Sequence, residues 1–305
     1  MADRYTGIEQ DFILERQATG EDITAKLGNL ATISYSIDLQ SEPRNSIGQG
    51  PTLQEAVDQA AQISVSIDCE PPTLQSLQVV GSISTDSGTF TVNLDEKLPE
   101  MRARIQVTET KTLVIEGIKF DGFDLNATND GVLEVTFNEG QNGNALNAEV
   151  QNTTINTPSP EDKPESYLDL SALVDNESVK SAESVSISYS RNVQSRRGIQ
   201  DKTGTDRRLP DEITEGSKEF TWDSTIEVTD DLAMRKLFNQ SSYPLKLAES
   251  STQIPFKVNL SDTGGEIELT GGKVSDMAGE LVNDDDVRTV DLNGDGLQAS
   301  ITGST

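Results

Sequence analysis

Apolar residues recur at every second position along most of this chain, the period of a strand buried on one face. Ile33, Tyr35, Ile37 and Leu39 share one face of a predicted strand, while Thr32, Ser34, Ser36 and Asp38 take the other. The alternation returns in Ile63, Val65, Ile67 and Cys69, in Phe90, Val92 and Leu94, and in Ala103, Ile105 and Val107. Further along it reappears in Phe220 and Trp222, in Ile226 and Val228, and in Ile254, Phe256, Val258 and Leu260. Helix signals are few. Residues 72–77 and 230–238 each follow a strand and open with helix-start residues, and 52–61 reads as a second short helix in the first half. The expected fold is mainly β, antiparallel sandwiches or barrels with a short α-helix packed against each.

The pattern is also written twice. Ile33-Ser34-Tyr35-Ser36-Ile37-Asp38-Leu39-Gln40-Ser41 returns as Ile187-Ser188-Tyr189-Ser190-Arg191-Asn192-Val193-Gln194-Ser195, six identities in nine positions at a shift of 154. The same shift pairs Leu14 with Leu168, Ala18 with Ala172 and Lys26 with Lys180, and far downstream Gly117 and Lys119 with Gly271 and Lys273. At 155, Val132, Val135, Phe137 and Asn138 match Val287, Val290, Leu292 and Asn293. Between these anchors Phe90, Val92, Asn93 and Leu94 match Phe256, Val258, Asn259 and Leu260 at 166, which implies that the second copy gained about twelve residues before this strand and lost them after it. Residues 156–165 hold three prolines and no hydrophobic residue, the composition of a stiff linker. Two tandem modules, 1–157 and 158–305, are therefore expected.

Charge narrows the setting. The 305 residues carry 24 lysines and arginines against 52 acidic residues, a formal net charge of -28 at pH 7. Such a surface repels itself and repels phosphate. Molar salt shortens the reach of that repulsion to about 3 Å, so the balance suits a salt-rich cytoplasm. Cys69 is the single cysteine, which rules out an intrachain disulfide, and histidine is absent, which removes the commonest general base and neutral metal ligand. The first thirty residues carry neither a basic n-region nor an apolar h-region, and no stretch approaches membrane-spanning length. An aqueous compartment without membrane contact is expected.

Motifs for chemistry are lacking. The sequence has no G-x-S-x-G elbow, no phosphate-binding loop and no strand-linked G-x-G-x-x-G, and its carboxylate pairs follow from sheer density, so no enzymatic role or cofactor is expected. Asp291, Asn293 and Asp295, in the run D-x-N-x-D-G, match the opening of a calcium loop, but its twelfth position is Thr302 in place of a bidentate glutamate. The preferred reading is a hairpin turn after a strand at 287–292. Arg191, Arg196, Arg197, Arg207 and Arg208 cluster in 191–216. They read either as phosphate contacts or, preferably in the absence of interleaved aromatics, as a protruding loop that meets acidic surface on a neighbouring subunit or ring. Ser34, Ser36, Asp38, Ser64, Ser66, Asp68, Glu134, Glu227 and Glu268 lie on polar strand faces.

The duplicated β module, the early strand Ser184-Val185-Ser186-Ile187-Ser188-Tyr189-Ser190, the long segment after it and the glycine-rich stretch at Gly271-Gly272-Lys273 resemble the major tail tube proteins of long-tailed viruses. With the acidic surplus, the resemblance points to a virus of a salt-loving archaeon. It implies a virion protein assembled in the host cytoplasm, whose stacked rings form a conduit for DNA. The implied partners are other copies of the chain, a tape measure protein, and tail terminator and distal tail proteins. Single-module members form six-subunit rings, so a tandem chain would close a pseudo-sixfold ring as a homotrimer. The polar residues named above are then candidates for the lumen, where acidic side chains keep DNA from sticking. Rival expectations are a cell-surface or adhesion β-sandwich and another ring-forming virion part.

Overall fold

A strand with one apolar face needs neighbours on its edges and a second layer beneath it, and this chain supplies both. The computed structural model describes residues 4–9, 11–28, 30–44, 55–94, 97–128, 132–156, 170–174, 177–178, 182–196, 209–227, 255–260, 265–271, 273–279, 289–296 and 298–304. Strand accounts for 64% and helix for almost nothing, so the fold is mainly β and its sheets are antiparallel. In the first half the strands are β1 (Arg4–Glu9), β2 (Phe12–Arg16), β3 (Thr32–Arg44), β4 (Glu55–Cys69), β5 (Ser82–Asp86), β6 (Thr89–Asn93), β7 (Met101–Thr108), β8 (Lys111–Ile118), β9 (Gly122–Thr128), β10 (Glu134–Asn138) and β11 (Asn147–Gln151). The second half adds β12 (Leu170–Val174), β13 (Glu177–Ser178), β14 (Ala182–Ser190), β15 (Gln194–Arg196), β16 (Glu212–Thr214), β17 (Glu219–Glu227), β18 (Phe256–Leu260), β19 (Gly265–Thr270), β20 (Lys273–Gly279), β21 (Thr289–Gly296) and β22 (Gln298–Ser304).

One nine-stranded sheet runs through both halves in the order β1-β3-β4-β10-β9-β14-β17-β21-β20. Leaving β1 aside, the succession β3-β4-β10-β9 is followed by its counterpart β14-β17-β21-β20. Register repeats between the last two strands of each set. Gly122, Phe123, Asp124 and Leu125 face Asn138, Phe137, Thr136 and Val135, while Asp276, Met277, Ala278 and Gly279 face Asn293, Leu292, Asp291 and Val290. Two smaller sheets form the second layer, β11-β8-β7-β2 and β13-β12-β18-β19-β22-β6-β5, and β15 forms a two-stranded sheet with β16. The hairpin β5-β6 of the first half thus completes a sheet of the second.

The strand β18 is where the sequence alignment needs correction. Phe256 and Val258 face Leu269 and Ile267 as Ala103 and Ile105 face Ile115 and Leu113, so β18 occupies the place of β7 and the match to Phe90 and Val92 at 166 is out of register. No twelve-residue shift is needed. The second helix read at 52–61 is also corrected: Glu55–Cys69 is a strand, because Arg44, Pro43, Glu42 and Ser41 pair with Glu55, Ala56, Val57 and Asp58, and a partner strand outweighs local propensity. At 72–77 the expected α-helix is a 3₁₀ helix, Leu74–Val79, its Thr73 hydroxyl accepting from the Gln75 amide at 3.3 Å. A second 3₁₀ helix spans Thr24–Leu27. The helix expected at 230–238 and nearly all of the linker 156–165 lie outside the described residues.

Apolar side chains from all three large sheets meet in one core. Phe123 of β9 lies against Tyr189 of β14 with ring centroids 5.7 Å apart, and Tyr189 stacks on Phe220 of β17 at 4.7 Å. Trp222 of β17 stacks on Phe256 of β18 at 4.2 Å and 6°, tying the large sheet to the layer below.

The two halves meet edge to edge, β9 against β14, from Ser184 opposite Thr128 to Ser190 opposite Gly122. Just before the joint, Asp121 holds the turn of the other strand. Its carbonyl accepts from the Arg191 amide at 2.7 Å, and its carboxylate accepts from the Val193 amide at 2.5 Å and the Ser190 hydroxyl at 2.9 Å. A Cβ on Gly122 would stand 1.7 Å from the carbonyl oxygen of Tyr189, so this close approach admits only glycine. Gly122→Ala is expected to cost about 1–3 kcal/mol through the forced separation of the strands, measured by urea unfolding in molar salt; an unchanged midpoint would contradict this packing.

Candidate functional site

Alternation places short polar side chains on the open face of the nine-stranded sheet, and register lines them into rows. One row runs Thr32, Asp68, Thr136, Asp124, Ser188, Thr221, Asp295 across β3, β4, β10, β9, β14, β17 and β21. The next runs Glu134, Asn126, Ser186, Asp223, Asn293. Carboxylates directly opposite one another would repel. In these rows a hydroxyl or amide separates most of them, and several bond: Thr136 donates to Asp68 at 2.7 Å, Asn138 to Asp124 at 2.6 Å and Thr225 to Asp291 at 2.7 Å. Ser188 of the second half donates to Asp124 of the first, so the polar face crosses the joint without a break. From Thr32 to Asp295 and from Glu134 to Asn293 the rows hold no lysine or arginine, but Asp295 in turn faces Lys273 of β20, and Arg4 of β1 faces Asp38 on the same face.

Most of the polar candidates named from sequence come together here. Ser34, Ser36 and Asp38 of β3 face Ser66, Ser64 and Gln62 of β4, with Asp68 and Glu134 in the rows above. Glu227 ends β17 in the same alternation, opposite Thr289. Glu268 is elsewhere. It lies on β19 in the second layer, where Lys257 sits 3.3 Å from both Glu268 and Glu266.

Asp291, Asn293 and Asp295 occupy alternate positions of β21, which extends through Gly296. The turn expected there is replaced by strand, because β17 pairs with the whole run. Side chains at i, i+2 and i+4 of a strand stand in parallel along one face and do not converge as calcium-loop ligands do. Among the described residues no group of three or more histidine, cysteine, aspartate or glutamate side chains could hold a metal ion.

The arginine cluster divides. Arg191 is buried, so its assignment to a protruding loop is corrected: its Nη2 donates to Glu215 at 2.8 Å, and Glu215 also accepts from Lys119 at 3.0 Å and from the Leu98 amide at 3.2 Å. Side-chain exposure is 4% for Lys119 and 11% for Glu215 and Arg191, so two cations and one anion from opposite halves meet in a largely buried site, with the more exposed Glu100 3.9 Å from Lys119. Arg196 is exposed at the end of β15, opposite Glu212, while Arg197, Arg207 and Arg208 lie outside the described residues. Sequence gave no sign of Lys119 or Glu215, which are 96 positions apart. The long hairpin arm also went unread: beyond Leu39, β3 and β4 pair only with each other among the described residues.

No protein-family model matches the chain, and no curated protein matches it. Among the described residues no helix is long and apolar enough to cross a membrane.

Removing the shared anion leaves Arg191 without a carboxylate and Lys119 with only Glu100, 3.9 Å away. Glu215→Ala is expected to destabilise the fold by about 3–5 kcal/mol, and replacement of all three charges together (Lys119→Met, Arg191→Met and Glu215→Leu) by much less, as read from chemical unfolding of both variants; equal losses would show that packing, not charge, dominates this site.

Proposed function

We propose that this chain is a structural virion protein that polymerises into stacked rings, the tail tube through which viral DNA is delivered. In this reading the chain consists of two tube-like modules, 1–157 and 158–305, three copies close a pseudo-sixfold ring, and the acidity reflects a salt-loving archaeal host. The observation that carries it is the head-to-tail repeat in one sheet, β3-β4-β10-β9 followed by β14-β17-β21-β20. A sheet whose units follow one another in the same sense has complementary ends, and such ends generate closed rings when the rotation per unit fits.

Magnitudes favour three chains. Each contributes eight strands, and about 24 strands at roughly 4.8 Å spacing and about 40° tilt close a barrel about 48 Å across its backbone. Short inward side chains would leave a lumen of roughly 35–40 Å, whereas two chains would leave about half that. The polar face then lines the lumen and the apolar face rests on the second layer. Carboxylates and hydroxyls outnumber the cations Arg4 and Lys273 at the two edges of this face, so it gives DNA little counterion-release attraction and lets it slide. The arm formed by the ends of β3 and β4 runs along the strand direction and is suited to contact the next ring. Tape measure, terminator and distal tail proteins complete the set of partners, and no catalysis or cofactor is involved.

Electron microscopy of the concentrated protein in molar salt tests this directly. Hollow tubes with three chains per ring are the expected result; monomers that stay monomers even with a tape measure protein would remove the tube reading. Within such tubes, Asp68→Arg with Asp223→Arg is expected to create DNA retention that weakens steeply as salt rises. Retention equal to that of the unmodified tube would place this face outside the lumen.

A further inference from the structure

The joint between the halves is specified twice by the repeat and made once within the chain. On β14, Ser190, Tyr189, Ser188 and Ile187 face Gly122, Phe123, Asp124 and Leu125 of β9. Their counterparts 154 positions earlier on β3 are Ser36, Tyr35, Ser34 and Ile33. There the edge is held by β1, also antiparallel, with Thr6, Gly7, Ile8 and Glu9 in those four places. The counterpart of β9 is β20, which ends the sheet among the described residues.

The second layer repeats this arrangement. Val92 of β6 pairs with Ile301 of β22, which is fully buried. Leu113 faces Val150 as Ile267 faces Ile301, so Val150 of β11 is the counterpart, yet it is 63% exposed. Likewise Tyr189 is 1% exposed at the joint while Tyr35 is only half-buried. The first half therefore presents, along one side, the places that the second half has covered by the first.

We infer that this side docks the second half of another copy of the chain: β20 adds antiparallel to β3 with Asp276 opposite Ser36, Met277 opposite Tyr35, Ala278 opposite Ser34 and Gly279 opposite Ile33, and β1 leaves as it does so. The occupant is a second copy because the pairing reproduces, in direction and register, one already made inside the chain. Until then β1 covers an edge that would otherwise pair at random. Exchange of β1 for β20 conserves backbone hydrogen bonds, so its direction is set by apolar surface newly covered, Val150 and Tyr35 among it. The inference deepens the ring proposal and rests on it for closure of the ring, not for the pairing.

Cysteine pairs test it. Ser188 and Asp124 touch side chain to side chain, so Ser34→Cys with Ala278→Cys, their counterparts, is expected to give chain-to-chain disulfides on mild oxidation in molar salt. Ser36→Cys with Asp276→Cys serves as a second pair if the first misfolds. The buried Cys69, its thiol pKa pushed up by burial and by Asp68 and Glu70, does not compete. Ile8→Cys with Ser34→Cys ties β1 down within one chain and is expected to slow assembly at least roughly tenfold until reductant is added, since it removes the population with β1 detached. No disulfide between chains from either pair, whether or not tubes form, overturns the docking. Unchanged assembly with the β1 tie fully formed overturns the exchange. Cross-linked chains that never form hollow tubes uphold the docking and overturn the tube.

Discussion

Between Gly122 and Tyr189 two backbones approach so closely that no side chain atom fits, and the continuity of the whole large sheet depends on that approach. The Asp121 carboxylate and carbonyl gather three donors from the entering strand, which fixes both its distance and its phase. Phase matters more than distance. A slip of one residue would turn Phe123 and Tyr189 out of the core and bring Asp124 and Ser188 into it, because every side chain of a strand changes face together. With the phase held, the aromatic chain Phe123, Tyr189, Phe220 seals the core under the joint while the polar rows run unbroken above it.

The chain handles charge in two ways. On the open face, carboxylates are spread among hydroxyls and amides and remain in water, where salt screens them. In the interior, Lys119 and Arg191 are largely removed from water and both rely on the Glu215 carboxylate. The first arrangement tolerates substitution at single positions; the second does not. Both arise from one composition, and burial alone separates them.

Much of the fold could be read from period and repeat. The alternation from Ile33 to Leu39 marks both faces of β3, and the shift of 154 to 155 finds the counterparts of β3, β9 and β10. Pairing, by contrast, is not local. Residues 52–61 carry alanines and glutamine in a pattern that suits a helix, and only the opposing stretch from Leu39 to Arg44 makes 55–61 strand. D-x-N-x-D-G reads as a turn until β17 is placed beside it. Glu268 alternates like Glu134, yet alternation names a face and not a sheet, so the two separate into different layers. The resemblance of Phe90-Thr91-Val92 to Phe256-Lys257-Val258 misled because β6 and β18 both need an apolar face while occupying different places.

The hairpin β5-β6 has a kinetic consequence. Val92 waits for Ile301, about 200 residues later, before its sheet is complete, which gives the molecule a high contact order and a correspondingly slow final step of folding. During synthesis the edge of β6 stays open for the time needed to make just over two thirds of the chain, on the order of ten seconds or more at usual elongation rates. A polypeptide stalled before β22 would carry that open edge indefinitely, and it would be captured by the β22 of any finished neighbour that unfolds locally. Such a topology makes completion of the chain itself a condition for closing the sheet.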